Sequence, residues 1–176
     1  MRAALATYLQ KGVSEQSIPY LSTVFPHFPK FTPEPEMYSA YIAGIGTGVV
    51  IYLHIDGHSE ARIAEGGTHS GRKFRSYAFE MRCYLKSTKP KTEEASADND
   101  TFIDGLTAWI QADRNLGTAP GTTGYVPVGA VFQAGEGGQR GGEDLRVTSL
   151  IPVPIDLETT VMYSQVDITV CEVLVT

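Results

Sequence analysis

This chain is poor in the residues that usually mark a chemistry. Among its 176 residues are two cysteines, one tryptophan and four histidines. Disulfide frameworks use denser sets of cysteines. Cys83 and Cys171 therefore read as free thiols in a reducing compartment, with a bridge between two paired strands as the alternative. Charge is also sparse, at 19% of residues, and the net charge of −6 lacks the basic footprint of a general nucleic-acid binder. The short clusters Arg72-Lys73-Phe74-Arg75 and 86–91 read as solvated strand ends. No apolar run approaches the ~20 residues that span a bilayer. Residues 1–12 lack the apolar core of a secretory signal, so the chain reads as soluble and made in the cytoplasm. There is no Gly-x-Ser-x-Gly elbow and no Gly-Lys-Ser/Thr, and neither cysteine has a histidine in a local motif. The expectation is a protein that is not an enzyme, with no catalytic residue, no cofactor and no metal.

What is present is alternation. Residues 48–64, 74–86 and 159–175 change from apolar to polar with period two, the mark of strands with one dry face. In the second run Tyr77, Phe79, Met81, Cys83 and Leu85 share one side, while Ser76, Glu80, Arg82 and Lys86 share the other. The pattern predicts an antiparallel sheet covered on one face. Asp56-Gly57 divides the first run, and an Asp-Gly pair between strand patterns is a hairpin signal. Phe102, Ile103, Leu106, Trp109 and Ile110 form the stripe of one main helix over 100–116, capped by Asp98 or Asp100. Leu5, Tyr8 and Leu9 mark a short N-terminal helix over 2–11 that Gly12 ends. The fold class expected is α+β, a mainly antiparallel twisted sheet with a long hairpin, packed by these two helices.

At this length one domain is expected, burying roughly 70% of the surface its unfolded chain exposes. Pro19, Pro26, Pro29, Pro33 and Pro35 interrupt 13–37, leaving room only for a short strand over 20–25. The segments 66–73, 87–98 and 134–144 read as loops. Short strands are expected over 126–133 and 145–151.

Two constellations invite a chemical reading. His54 and His58 flank Asp56-Gly57, and His69 follows in a glycine loop, so the three could ligate zinc or iron. No carboxylate motif completes the set, and solvated or interface histidines are the preferred reading. The run Gly135-Glu136-Gly137-Gly138-Gln139-Arg140-Gly141-Gly142 looks like a phosphate loop. A strand pattern follows it, where a phosphate site needs a helix N-terminus, and Glu136 opposes an anion. It reads as a loop that orders against a partner.

The whole order resembles the tail terminator family of long-tailed bacteriophages: N-terminal helix, proline-rich segment, hairpin, long strand, main helix and closing strands. The likeness is one of element order, not of a residue motif. It implies a subunit of a hexameric ring that caps the tail tube, stops its growth and joins the tail to the head connector or stopper. It implies a virion location at the tail–neck junction, assembly in the host cytoplasm, no membrane, and DNA only in passage through a channel. The family carries no catalytic residues. On this reading Arg72, Lys73, Arg75, Glu136 and Arg140 are interface charges. The last strand has apolar residues on both faces, so Met162, Val166, Ile168, Val170 and Leu174 are expected to meet another subunit. A head–tail stopper, a tail-tube subunit, or a small β-rich metal enzyme using His54, His58 and His69 are the alternatives.

Overall fold

The computed structural model describes residues 2–27, 46–64, 71–89, 91–113, 125–126, 130–132, 139–141, 146–149, 153–154 and 160–175. Side chains are described within these, except at Ala4, 61–64, 71–74, 125–154 and 171–175. The elements are α1 (Arg2–Ser14), β1 (Leu21–Phe25), β2 (Gly48–Ala64), β3 (Gly71–Ser87), α2 (Thr92–Ala112), β4 (Tyr125–Val126), β5 (Ala130–Phe132), β6 (Gln139–Gly141), β7 (Arg146–Ser149), β8 (Val153–Pro154) and β9 (Thr160–Val175). The fold is α+β.

Period-two sequence builds the sheet. β2 and β3 pair antiparallel from Gly48/Lys86 to Ala64/Gly71, and β3 pairs antiparallel with β9 from Ser87/Thr160 to Arg72/Val175. β1 lies parallel to the start of β2, giving the order β1-β2-β3-β9-β4. The far edge of β9 is shared along its length by β8, β7 and β4. β5 and β6 form a separate pair.

The long hairpin is present, but its turn is not at Asp56-Gly57. β2 runs through that dipeptide as one strand, and the register slips there: Ile55 faces Phe79, Gly57 faces Ala78, and Asp56 is the extra residue. Asp-Gly here makes a β-bulge with neither residue at positive φ, so the strand stays extended and does not turn back. The hairpin instead joins β2 to β3.

The alternating faces separate two clusters. Val49, Ile51, Leu53, Phe79, Met81, Cys83, Leu85, Met162, Val166, Ile168 and Val170 share a core with Leu5, Leu9, Phe102, Leu106 and Ile110 of the helices. This overturns one expectation directly. Met162, Val166, Ile168 and Val170 are at most 4% exposed, so they belong to the chain's own interior and offer nothing to another subunit. The other face of β9 carries Val161 and Tyr163, packed on Val50, Tyr52 and Tyr84. There Phe25, Tyr52, Tyr84 and Tyr163 make an aromatic row across four strands, with successive centroids 5.3, 5.7 and 5.0 Å apart. Cross-strand aromatic pairs of this kind stabilise a sheet beyond simple area burial.

The main helix starts eight residues earlier than the stripe suggests. α2 begins at Thr92, so much of the expected 87–98 loop is helical, and 71–73 belong to β3. Lys91 at the N-cap makes no side-chain cap bond. Glu93 and Glu94 in the first turn supply the favourable negative charge instead. Of 134–144, only 139–141 is described, as β6. α1 also runs past Gly12, which serves packing: a Cβ there would lie 2.6 Å from Ile18 Cδ1.

The helices clasp each other through Tyr8 and Trp109. The Tyr8 hydroxyl donates to the Trp109 carbonyl at 2.8 Å, Trp109 Nε1 donates to the Tyr8 carbonyl at 3.4 Å, and the rings stack at 5.4 Å. Burial, with Asp113 and Glu15 nearby, pushes the Tyr8 hydroxyl up to about 12. The folded state holds this proton more tightly than the unfolded chain. The stabilisation is therefore complete below pH ~10 and is lost as pH rises through about 12. Urea unfolding followed by Trp109 fluorescence tests this: between pH 9 and 11.5 the wild type should lose more stability than Tyr8→Phe. Equal losses would contradict it.

The cysteines do not pair. Cys171 stands opposite Ser76, seven residues along β3 from Cys83, or roughly 23 Å at ~3.3 Å per residue. A disulfide needs Cα atoms within about 7 Å. Cys83 is a free, buried thiol whose ionisation is pushed far up by burial. It is inert as a nucleophile while the core is closed.

Candidate functional site

At its bulge β2 stays in the sheet but becomes exposed. Residues 56–60 are all exposed although they stay paired with β3, and pairing continues to Ala64. From Gly57 to Ala64 this ribbon extends roughly 25 Å. An antiparallel strand in a covered sheet hides alternate residues. Here His58, Ser59 and Glu60 are exposed in succession, so the chain's own core does not cover either side of β2 at this end.

Arg75 lies on this ribbon. Its Nε donates to Glu60 Oε2 at 2.8 Å, across the β2–β3 pair. That hydrogen bond, then one with Tyr77, holds the guanidinium more firmly charged than usual. The neighbouring backbone places Lys73 opposite Arg62 and Leu174, and Arg72 opposite Ile63 and Val175. Arg72, Lys73, Arg75 and Leu174 therefore share one end of the sheet. The side chains of Arg72, Lys73 and Leu174 lie outside the described set. Arg140 sits on β6 opposite Val131, in the separate two-stranded pair, and Glu136 lies outside the described residues.

The bulge separates the histidines. His54 stands opposite Glu80, and His58 stands opposite Tyr77, with ring centroids at 6.2 Å. Glu80 and Tyr77 are three residues apart on β3, so they project from opposite faces. His54 and His58 consequently cannot hold one metal ion, and His69 lies outside the described residues. Among the described residues, no three His, Cys, Asp or Glu side chains are grouped to bind a metal.

On the face away from the helices, the bulge opens a depression of about 320 Å³ lined by Asp56, Ala78, Glu80, Asp167 and Thr169, among others. Glu80 is paired with Arg82, and Gln165 Nε2 donates to Asp167 Oδ1 at 2.9 Å. Gln165 in turn accepts from the Tyr163 hydroxyl at 3.3 Å. Glu80 and Asp167 are thus tied into surface hydrogen bonds, and with Asp56 they make the depression acidic.

At the opposite end lies a buried polar node that sequence reading missed. Asp98, 3% exposed, accepts from Tyr20 at 3.2 Å, Ser87 at 3.1 Å and Lys89 Nζ at 2.7 Å. Next to it Asn99 Oδ1 accepts from Ser164 at 2.9 Å. The node joins α2 to the end of β3, the start of β9 and the entry to β1. Tyr20 reaches it with φ of +62°, an unusual conformation for an aromatic residue, while its carbonyl accepts from Val49 N at 2.8 Å. The available signal was position: Asp98 and Asn99 lie four and three residues before Phe102, on the apolar stripe itself. A buried acid and a capping acid look alike in sequence.

No helix among the described residues is long and apolar enough to cross a membrane. No family model matches the chain, and no curated protein matches it.

Proposed function

We propose that the chain is a structural subunit of a ring in the neck of a long-tailed bacteriophage, acting as its tail terminator. In this role copies associate head to tail, cap the tail tube, stop its polymerisation and present a surface to the head connector or stopper. A closed ring needs a heterologous contact that repeats by rotation. The observation that carries the reading is the ribbon: Asp56–Glu60 is strand-paired yet exposed throughout. A paired strand without its own cover is a surface ready for a neighbour. The ribbon end, with Arg75, Arg72 and Lys73, is the expected contact.

The acidic depression at Asp56, Glu80 and Asp167 also suits a channel through which DNA passes without adhering. The corrected place of Met162, Val166, Ile168 and Val170 moves the expected contact from the middle of β9 to the sheet end. A site shared by His54 and His58 has no geometric basis, so the metal-enzyme alternative loses its ligands.

Mass measurement by size exclusion with light scattering tests the proposal. Six copies of the 19.1 kDa chain, about 115 kDa, should form alone or on addition of the tail-tube protein. Ring-shaped particles should appear in negative stain. A protein that stays monomeric under both conditions overturns the reading.

A further inference from the structure

All five polar side chains that are buried among the described residues gather at the node beneath α2: Ser87, Asp98, Asn99, Thr160 and Ser164. The sheet supplies three of them, and Ser87 of β3 stands directly opposite Thr160 of β9. α2 supplies Asp98 and Asn99, while the rest of its buried side, Ala95, Phe102, Leu106 and Ile110, is apolar. A polar layer inside such an interface is stable only where each donor meets an acceptor.

Most of these donors do. Asp98 takes Tyr20, Ser87 and Lys89. Thr160 Oγ1 donates to the Lys89 carbonyl at 3.4 Å, and Ser164 donates to Asn99 Oδ1 at 2.9 Å. Asn99 Nδ2 is the exception in the layer: its residue is 1% exposed, and the amide nitrogen is buried with no acceptor. Exchanging the two ends of the amide does not help, because the nitrogen would then face Ser164 and the oxygen would be stranded. Either orientation leaves one end of a buried amide unmet, which costs more than a net hydrogen bond contributes. The surroundings are small and closed. Ala95 lies one turn before Asn99, and Ser164 stands opposite Cys83 across the β3–β9 pair. Ala95, Asn99, Ser164 and Cys83 are each at most 1% exposed.

We infer that the Asn99 amide holds an internal water molecule between α2 and β9. An enclosed polar site takes a ligand that both accepts and donates and fills only ~30 Å³. The water accepts from Nδ2 and donates to oxygens of the same layer, where each hydroxyl can accept while it donates. Asn99 thereby becomes a second tie between helix and strand beside the Asp98 node, rather than a cost to the interface. The inference does not depend on the ring reading.

A crystal structure of the wild type that shows ordered water tests this directly. A density peak is expected about 2.7–3.2 Å from the Asn99 amide. In solution, the Asn99 side-chain amide protons should give cross-peaks to water with the sign of a long-lived bound molecule. Asn99→Leu keeps much of the shape but has no donor, so the density peak should be lost while Asp98 keeps Ser87 and Lys89. A wild type with neither the peak nor the cross-peaks, or with a protein acceptor at the amide nitrogen, would overturn the inference. A peak that persists with Asn99→Leu would show that other groups hold the water, and would overturn its assignment to Asn99. Should Asn99→Leu fail to fold, the two wild-type measurements decide the matter alone.

Discussion

Replacing Phe102 with alanine is expected to cost about 3–5 kcal/mol, the range for deleting a fully buried aromatic. Phe102 is 0% exposed and sits in the core cluster between the helices and the sheet, with Phe79, Met81 and Leu106. The loss combines the transfer of a ring to water with the cavity left behind, because neighbours anchored in a strand ladder relax little. Against a typical total of ~5–15 kcal/mol, this is a large fraction. In urea the midpoint should fall by about 2 M if the slope is near ~2 kcal/mol per molar. Phe102→Leu keeps most of the volume and should cost less than ~1.5 kcal/mol. A loss below ~1 kcal/mol for Phe102→Ala would show that α2 does not cover the sheet as described.

The second large effect is expected at Asp98. Asp98→Ala removes the acceptor for Tyr20, Ser87 and Lys89 together, and should cost about 3 kcal/mol. The penalty arises mainly from stranding donors: Ser87 is fully buried and has no route to water, whereas Lys89 is 44% exposed and can turn outward. Asp98→Asn retains an oxygen acceptor and most of the shape, so about 1 kcal/mol is expected. Hydrogen bonding to Asp98 also holds the Lys89 ammonium charged above its ordinary range. Its contribution is thus present at neutral pH and below the ordinary lysine value, and disappears only as strongly alkaline pH passes the raised one. Equal effects of the alanine and asparagine substitutions would indicate that the carboxylate charge, rather than shape, governs the node. If Asp98→Ala cost less than ~0.5 kcal/mol, the node would not be holding α2 to the strand ends.

The two substitutions also show where sequence reading succeeds and where it stops. Phe102, Leu106 and Ile110 were legible because helical period and apolar character agree. Asp98 broke that agreement. An acid ahead of an apolar run is ordinarily a cap, and only the nearness of Ser87 and Lys89 reveals it as a buried partner. Asp56-Gly57 shows a related limit: the dipeptide permits the positive φ of a tight turn but does not use it here, and long-range pairing of Ile55 with Phe79 and Gly57 with Ala78 makes it a bulge. The same bulge reverses the faces of β2, which separates His54 from His58 although they are only four residues apart.

The sequence by itself determined the α+β class, the three long strands, the existence of both helices and the dry side of β3. These follow from local periodicity, because each residue's face is set by neighbours within a few positions. The tertiary structure alone decided which face of β9 is interior, since Met162–Val170 and Val161–Tyr163 are both apolar and nothing local ranks them. It placed the helices over the first set, left the second to the aromatic row, and put Cys83 and Cys171 beyond reach of each other. It also left the ribbon at Asp56–Glu60 paired but uncovered. Exposure of that kind is a property of how distant segments pack, and it moved the expected contact with a neighbour from an apolar strand face to the end of the sheet.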